Sequence, residues 1–224
     1  MMPVLIVSLG VLAAALAEPI AVRGADGRIL YGDRYGSGDR GLVILAHGGY
    51  SHRASWSATA EAIAAAGLHV LVIESRAATD FASGKETPCL SDDVCQAADV
   101  IAAVKHLRRV GARSIALMGG SLGGAAVAHA AIDDGGIEAV VLLAPAAIPE
   151  PQRLTGRKMF VATASDANSS GLRLPGIKAQ YARVAPPKVF VELEGTAHGQ
   201  LIFATPQGAE LTRAVIRFLL DAAP

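Results

Sequence analysis

A recurring alternation constrains this chain before any single residue does. Short, uniformly apolar runs at 41–46, 68–73, 114–118, 138–144, 158–163 and 188–193 are separated by segments of a different character. A strand that is apolar at every position is buried on both faces, as happens when helices cover both sides of a parallel sheet. The intervening segments supply those helices. They fall at 56–66 (closed by Gly67), at 122–132, at 172–184 and at 206–221. Another has Ala97, Val100, Ile101, Val104 and Leu107 at the spacing of one helical face, with Gly111 ending it. Strands alternating with helices predict an α/β domain with a mostly parallel sheet and helices on both faces. Ahead of the alternation, 20–23 and 28–31 flank Gly24-Ala25-Asp26-Gly27, which predicts an antiparallel hairpin on an Asp-Gly turn. A chain of 224 residues accommodates one such domain.

Charge adds an exclusion. With 20 basic and 20 acidic residues there is no electrostatic footprint for nucleic acid. The amino terminus points to export. Residues 2–17 are almost wholly apolar, too short for a comfortable membrane span. Ala15-Leu16-Ala17 forms an A-x-A cleavage pattern ahead of Glu18-Pro19. No Lys or Arg precedes the apolar run, so the alternative is an uncleaved anchor or a buried helix. The expectation is a signal peptide at 1–17 and a mature domain at 18–224, periplasmic or extracellular, with no stable membrane span after cleavage. The two cysteines, Cys89 and Cys95, would then meet an oxidising compartment, where a disulfide forms. So short a loop adds about 2 kcal/mol in the chain-entropy model. No His or further Cys stands nearby at ligand spacing, so no metal site is expected.

The chemistry concentrates at Gly119-Gly120-Ser121-Leu122-Gly123, between the 114–118 strand and the 122–132 helix. A serine on a strand-to-helix corner, with glycine two places before and two after, is a nucleophile elbow. A serine hydroxyl needs a base, and the base needs a group to hold it. Of six histidines, His198 follows the last strand, and loops at the carboxyl ends of parallel strands converge on one face. His69 begins a buried strand, His106 lies among helix cations, His129 points away from Ser121, and His47 shapes a strand-end loop. The acid expected between Ser121 and His198 is Asp166, just past 158–163, with Glu150 the weaker alternative. An oxyanion needs backbone donors. Leu122 offers one, and His47-Gly48-Gly49-Tyr50 offers the other, from Gly49 first and Tyr50 second. Glu74 and Arg76 end the 68–73 strand and could line the site or brace a loop.

Taken in order, His47-Gly48-Gly49, the elbow around Ser121, Asp166 and His198 resemble the α/β-hydrolase superfamily. The resemblance covers nearly all of the mature chain. It implies a single three-layer domain with a sheet of about eight strands, acting on a small-molecule ester or thioester through an acyl-enzyme, with no cofactor. The connection from Pro145 to Lys158 is too short to hold an inserted lid. The serine nucleophile departs from the dienelactone hydrolases of similar size, which use cysteine. Two other classes fit the same residues: an acyltransferase on the same triad, and a non-catalytic binding protein that keeps only the fold.

Overall fold

In the computed structural model, the described residues are 16–24, 26–46, 51–75 and 93–221. The Asp-Gly turn folds as expected. Strands β1 (Glu18–Arg23) and β2 (Ile29–Tyr35) pair antiparallel, with Gly27 at φ 82° in the turn. The apolar runs form β3 (Arg40–Ala46), β4 (His69–Glu74), β5 (Ser114–Gly120), β6 (Ala139–Leu143) and β7 (Arg157–Thr163). A two-stranded hairpin follows, β8 (Ala167–Asn168) and β9 (Gly171–Leu172), where the sequence pattern gives only loop. The last strand is β10 (Lys188–Leu193). The main sheet has eight strands in the order β1-β2-β4-β3-β5-β6-β7-β10. It is parallel from β4 to β10, and β2 joins β4 antiparallel.

Helices α1 (Ser57–Ala65), α2 (Asp93–Arg109), α3 (Leu122–Asp134), α4 (Leu174–Arg183) and α5 (Gly208–Leu220) cover the two faces. Strand side chains alternate between them. Leu42, Ile44 and Ala46 of β3 pack with Trp56, Ile63, Leu211 and Val215, on the side of α1 and α5. Val43 and Leu45 pack with Val100, Val104, Leu107 and Val127, on the side of α2 and α3. α3 buries Gly123, Gly124, Ala125, Ala126 and Ala128, and side chains that small let it lie close to its neighbours. Arg108 of α2 donates to both carboxylate oxygens of Asp134 on α3, at 2.8 and 2.5 Å. That hydrogen-bonded guanidinium holds the Asp134 carboxyl below its usual range. β10 departs from the expectation of full burial: as the sheet's outer strand it leaves Val189 37% exposed.

His69 begins β4 and is 6% exposed. Burial first, then the charges of Arg34 and His106, push it below its ordinary value of 6.5. His106 is lowered by burial, then by Arg109 and Arg34. Below about pH 6.5 the unfolded chain therefore binds protons that the fold refuses. Stability is unaffected by these groups above that pH and falls as pH drops through it. Melting temperature measured from pH 7.5 to pH 5.5 is expected to decline, and the double variant His69→Gln/His106→Gln to decline less steeply. An identical slope in both proteins would contradict this assignment.

Candidate active site

β5 runs through Gly119 and Gly120, and α3 starts at Leu122, so Ser121 alone turns the corner. Its backbone sits at φ 55°, ψ −123°, sparsely populated ground for a residue with a side chain. Hydrogen bonds on both sides fix it there. The Ser121 N–H donates to the Leu143 carbonyl at 3.0 Å. The Ser121 carbonyl accepts from the N–H groups of Gly124 (3.0 Å), Ala125 (3.2 Å) and Ala146 (2.9 Å). The corner also needs close backbone approach. A Cβ on Gly119 would lie 2.3 Å from the Gly123 carbonyl oxygen, and one on Gly124 would lie 3.1 Å from the Pro145 Cα. The two glycines singled out by the motif, Gly119 and Gly123, thus face each other across it. Gly120 has a different duty: its Cβ would meet the Gly199 Cα at 3.0 Å and the Gln200 nitrogen at 3.1 Å. The turn that follows His198 therefore rests directly on the elbow.

Asp166 and His198 come from adjacent parallel strands. β7 and β10 pair from Lys158↔Lys188 to Thr163↔Leu193. Beyond the strand ends the two loops stay laced. The Ala164 N–H donates to the Leu193 carbonyl at 2.8 Å and the Ser165 N–H to the Gly195 carbonyl at 2.9 Å. The Thr163 hydroxyl donates to the Ala197 carbonyl at 2.8 Å. The lacing sets the next residues side by side, with His198 Nδ1 2.5 Å from Asp166 Oδ2. A carboxylate only accepts, so the proton of this bond lies on Nδ1, and in the neutral imidazole that leaves the lone pair on Nε2. Asp166 is 2% exposed, and a buried charge requires partners. Its other oxygen, Oδ1, lies 3.4 Å from Arg173 Nε. The Arg173 N–H also donates to the Asp166 carbonyl at 2.9 Å. The β8–β9 hairpin returns the chain to make this contact, with Gly171 opening β9 at φ 108°. Arg173 has no signature in the sequence, because the hairpin that delivers it has none.

The other candidates fall in several places. Leu122 is the first residue of α3, where a backbone N–H has no partner within the helix. Glu74 accepts from Arg53 Nε at 3.2 Å, while Arg53 Nη1 donates to Asp33 at 2.7 Å, which is a brace between strands and loop. Glu150 pairs with Arg153 at 2.7 Å and does not approach His198 through any hydrogen bond among the described residues. His47, Gly49, Tyr50, Arg76 and Cys89 lie outside the described residues, and Cys95 is half-buried at the start of α2. Two buried polar groups near the elbow were not singled out by the sequence. Ser51 accepts from the Trp56 indole at 3.0 Å, and the Gln200 amide donates to the Ser55 hydroxyl at 3.4 Å. The second bond ties the segment after β3 to the turn after His198. Among the described residues no His, Cys, Asp and Glu cluster could hold a metal ion.

A family model described as the alpha/beta hydrolase fold matches residues 41–191, from β3 to β10. The chain belongs to the α/β-hydrolase fold family. Solved structures agree on the fold. A predicted CIB-like hydrolase from Thermoplasma acidophilum is 16% identical, with a TM-score of 0.71 over 92% of this chain and 98% of that one. A dienelactone hydrolase from Anabaena variabilis is 18% identical, with a TM-score of 0.71 over the same shares. The esterase Pf2001 from Pyrococcus furiosus is 14% identical, with a TM-score of 0.68 over 92% of this chain and 90% of that one. No curated protein matches the sequence significantly.

Proposed function

We propose that this α/β-hydrolase is a serine hydrolase that cleaves carboxylic esters or thioesters through an acyl-enzyme. The observation that carries the reading is the buried Asp166 holding His198 beside the strained corner at Ser121. In this reading His198 Nε2 takes the Ser121 proton as the hydroxyl oxygen attacks the substrate carbonyl carbon. Asp166 keeps the imidazole oriented and stabilises the imidazolium. The oxyanion is received by the Leu122 N–H, at the start of α3, with Gly49 or Tyr50 as the second donor. Collapse of the tetrahedral intermediate breaks the carbon–oxygen or carbon–sulfur bond, and His198 returns its proton to the departing group. Water then repeats the sequence and releases the acid. That an esterase and a dienelactone hydrolase share the fold supports the substrate class. Between β6 and β7 the chain forms only the short 3-10 turn Pro151–Arg153, so no lid domain is inserted there. Access of this kind suits small soluble esters or chain ends. On a series of p-nitrophenyl esters, Ser121→Ala is expected to abolish turnover and Asp166→Asn to lower kcat by about 10³–10⁴-fold with the fold retained. Asp166→Asn at wild-type kcat would remove Asp166 from the triad.

Export of the mature domain, with Cys89 paired to Cys95, belongs to the same proposal. β1 starts at Glu18, directly after the cleavage pattern. Among the described residues no helix is long and apolar enough to cross a membrane. Intact mass of the protein recovered from its native host is expected to correspond to a chain starting at Glu18 that takes up iodoacetamide only after reduction. A full-length mass, or alkylation without reductant, would contradict the respective part.

A further inference from the structure

A cavity of about 650 Å³ lies at the end of the sheet opposite Ser121. Its walls come from the chain at or just before the start of three strands: Glu138 ahead of β6, Leu154 to Lys158 leading into β7, and Ala185 to Pro187 ahead of β10. Its charged lining residues are Glu138, Arg153, Arg157 and Lys158. Arg157 donates to Glu138 at 3.0 Å, so that carboxylate is already matched. Arg153 pairs at 2.7 Å with Glu150, which stands outside the walls. Lys158 is left over. It is 1% exposed, yet no carboxylate among the described residues forms an ion pair with it. Its Nζ donates to the Gly156 carbonyl at 2.7 Å and to the Leu154 carbonyl at 3.5 Å. An ammonium carries three N–H groups, so one remains.

A second cation deepens the imbalance. Lys158 of β7 is in register with Lys188 of β10, and strands about 4.8 Å apart start the two stems side by side on one face. Lys188 lies over the Tyr181 ring, 4.4 Å from its centroid, and donates to the Tyr181 carbonyl at 2.8 Å. It too has no carboxylate partner among the described residues. Burial, then the charge of Lys188, pushes the Lys158 ammonium below its usual range. A buried charge without a counter-charge is unfavourable, and an anion beside it relieves the deficit. We infer that this cavity is a second binding site, for a small carboxylate with an apolar body whose charged end accepts from the remaining Lys158 N–H. One free donor suits a single carboxylate oxygen better than the oxygens of a phosphate. Leu154, Ala185, Pro186 and Pro187 offer apolar surface to the body. The volume falls within the roughly 300–1,000 Å³ typical of small-molecule pockets. The site is independent of the serine-hydrolase reading, because Asp166 and His198 follow the carboxyl ends of β7 and β10 while Lys158 stands at the amino end of β7.

Calorimetric titration of octanoate into the full chain tests the site. One-to-one binding is expected, weakened about tenfold or more in Lys158→Met, which keeps an unbranched side chain and removes the charge. Ala185→Trp adds bulk at an exposed position of the wall and should weaken binding likewise, so it carries the test if Lys158→Met does not fold. Octanol has the same tail without the charge and should bind about tenfold or more weakly than octanoate. Octyl phosphate should bind no more tightly than octanoate. Ser121→Ala should bind octanoate as the wild type does, which separates this cavity from the candidate active site. No binding of octanoate by the wild type would overturn the site. So would wild-type affinity in Lys158→Met or, where that variant does not fold, in Ala185→Trp, and so would loss of binding in Ser121→Ala. Octanol binding as tightly as octanoate would overturn the role of Lys158, and tighter binding of octyl phosphate would overturn the carboxylate class.

Discussion

The hydrogen bonds that Ser121 makes to Leu143, Gly124, Ala125 and Ala146 hold its backbone where a side-chain-bearing residue is strained. A residue in such a region costs about 1–3 kcal/mol. Each hydrogen bond contributes about 0.5–1.5 kcal/mol net, so the set is of the size needed to offset the strain. Gly124 and Ala125 lie in the first turn of α3, while Leu143 and Ala146 come from the end of β6 and the segment after it, so the last two bonds exist only when β5 and β6 are paired. The strained corner thus depends on the pairing of β5 with β6 as well as on the start of α3. The glycines around it follow from the same constraint: with a Cβ at Gly119 the strand and helix could not both reach Ser121.

The second group of candidate side chains depends on the sheet in another way. Asp166 and His198 are far apart in sequence and meet because β7 and β10 are paired in register to their last residues. The loop-to-loop bonds at Ala164, Ser165 and Thr163 continue that pairing past the strand ends. A substitution that frees one of these loops would move Asp166 relative to His198 without touching either. The contact between Gly120 and the Gly199-Gln200 backbone then joins this pair of loops to the elbow. Elements from β5, β7 and β10 are in this way held to one another by backbone contacts, which side chains alone would hold less rigidly.

The parallel sheet was legible because strands covered on both faces have to be apolar at every position, and residues 41–46, 114–118 and 138–144 are. Strand β10 reads the same way in sequence yet lies at the sheet's rim, since an apolar run does not record its place in the strand order. Chain order singled out Asp166 and His198, and they do lie 2.5 Å apart. Arg173 was not legible: strands as short as β8 and β9 carry no periodicity, so nothing in the sequence folds Arg173 back onto Asp166. Gly120 and Gly124 were visible as glycines, but the backbones they admit, at Gly199 and Pro145, are distant in sequence. Glu74 shows the converse, because its place at the end of β4 fits a site wall and a brace equally until Arg53 is seen between it and Asp33.

The proposed chemistry requires Ser121 to be a nucleophile that its surroundings activate. Peptide mapping of the protein after treatment with a fluorophosphonate measures that directly. The predicted result is a single adduct on the peptide that carries Ser121, lost in His198→Ala as well as in Ser121→Ala. An unmodified Ser121 in the folded wild-type protein, or an adduct that persists undiminished in His198→Ala, would contradict it.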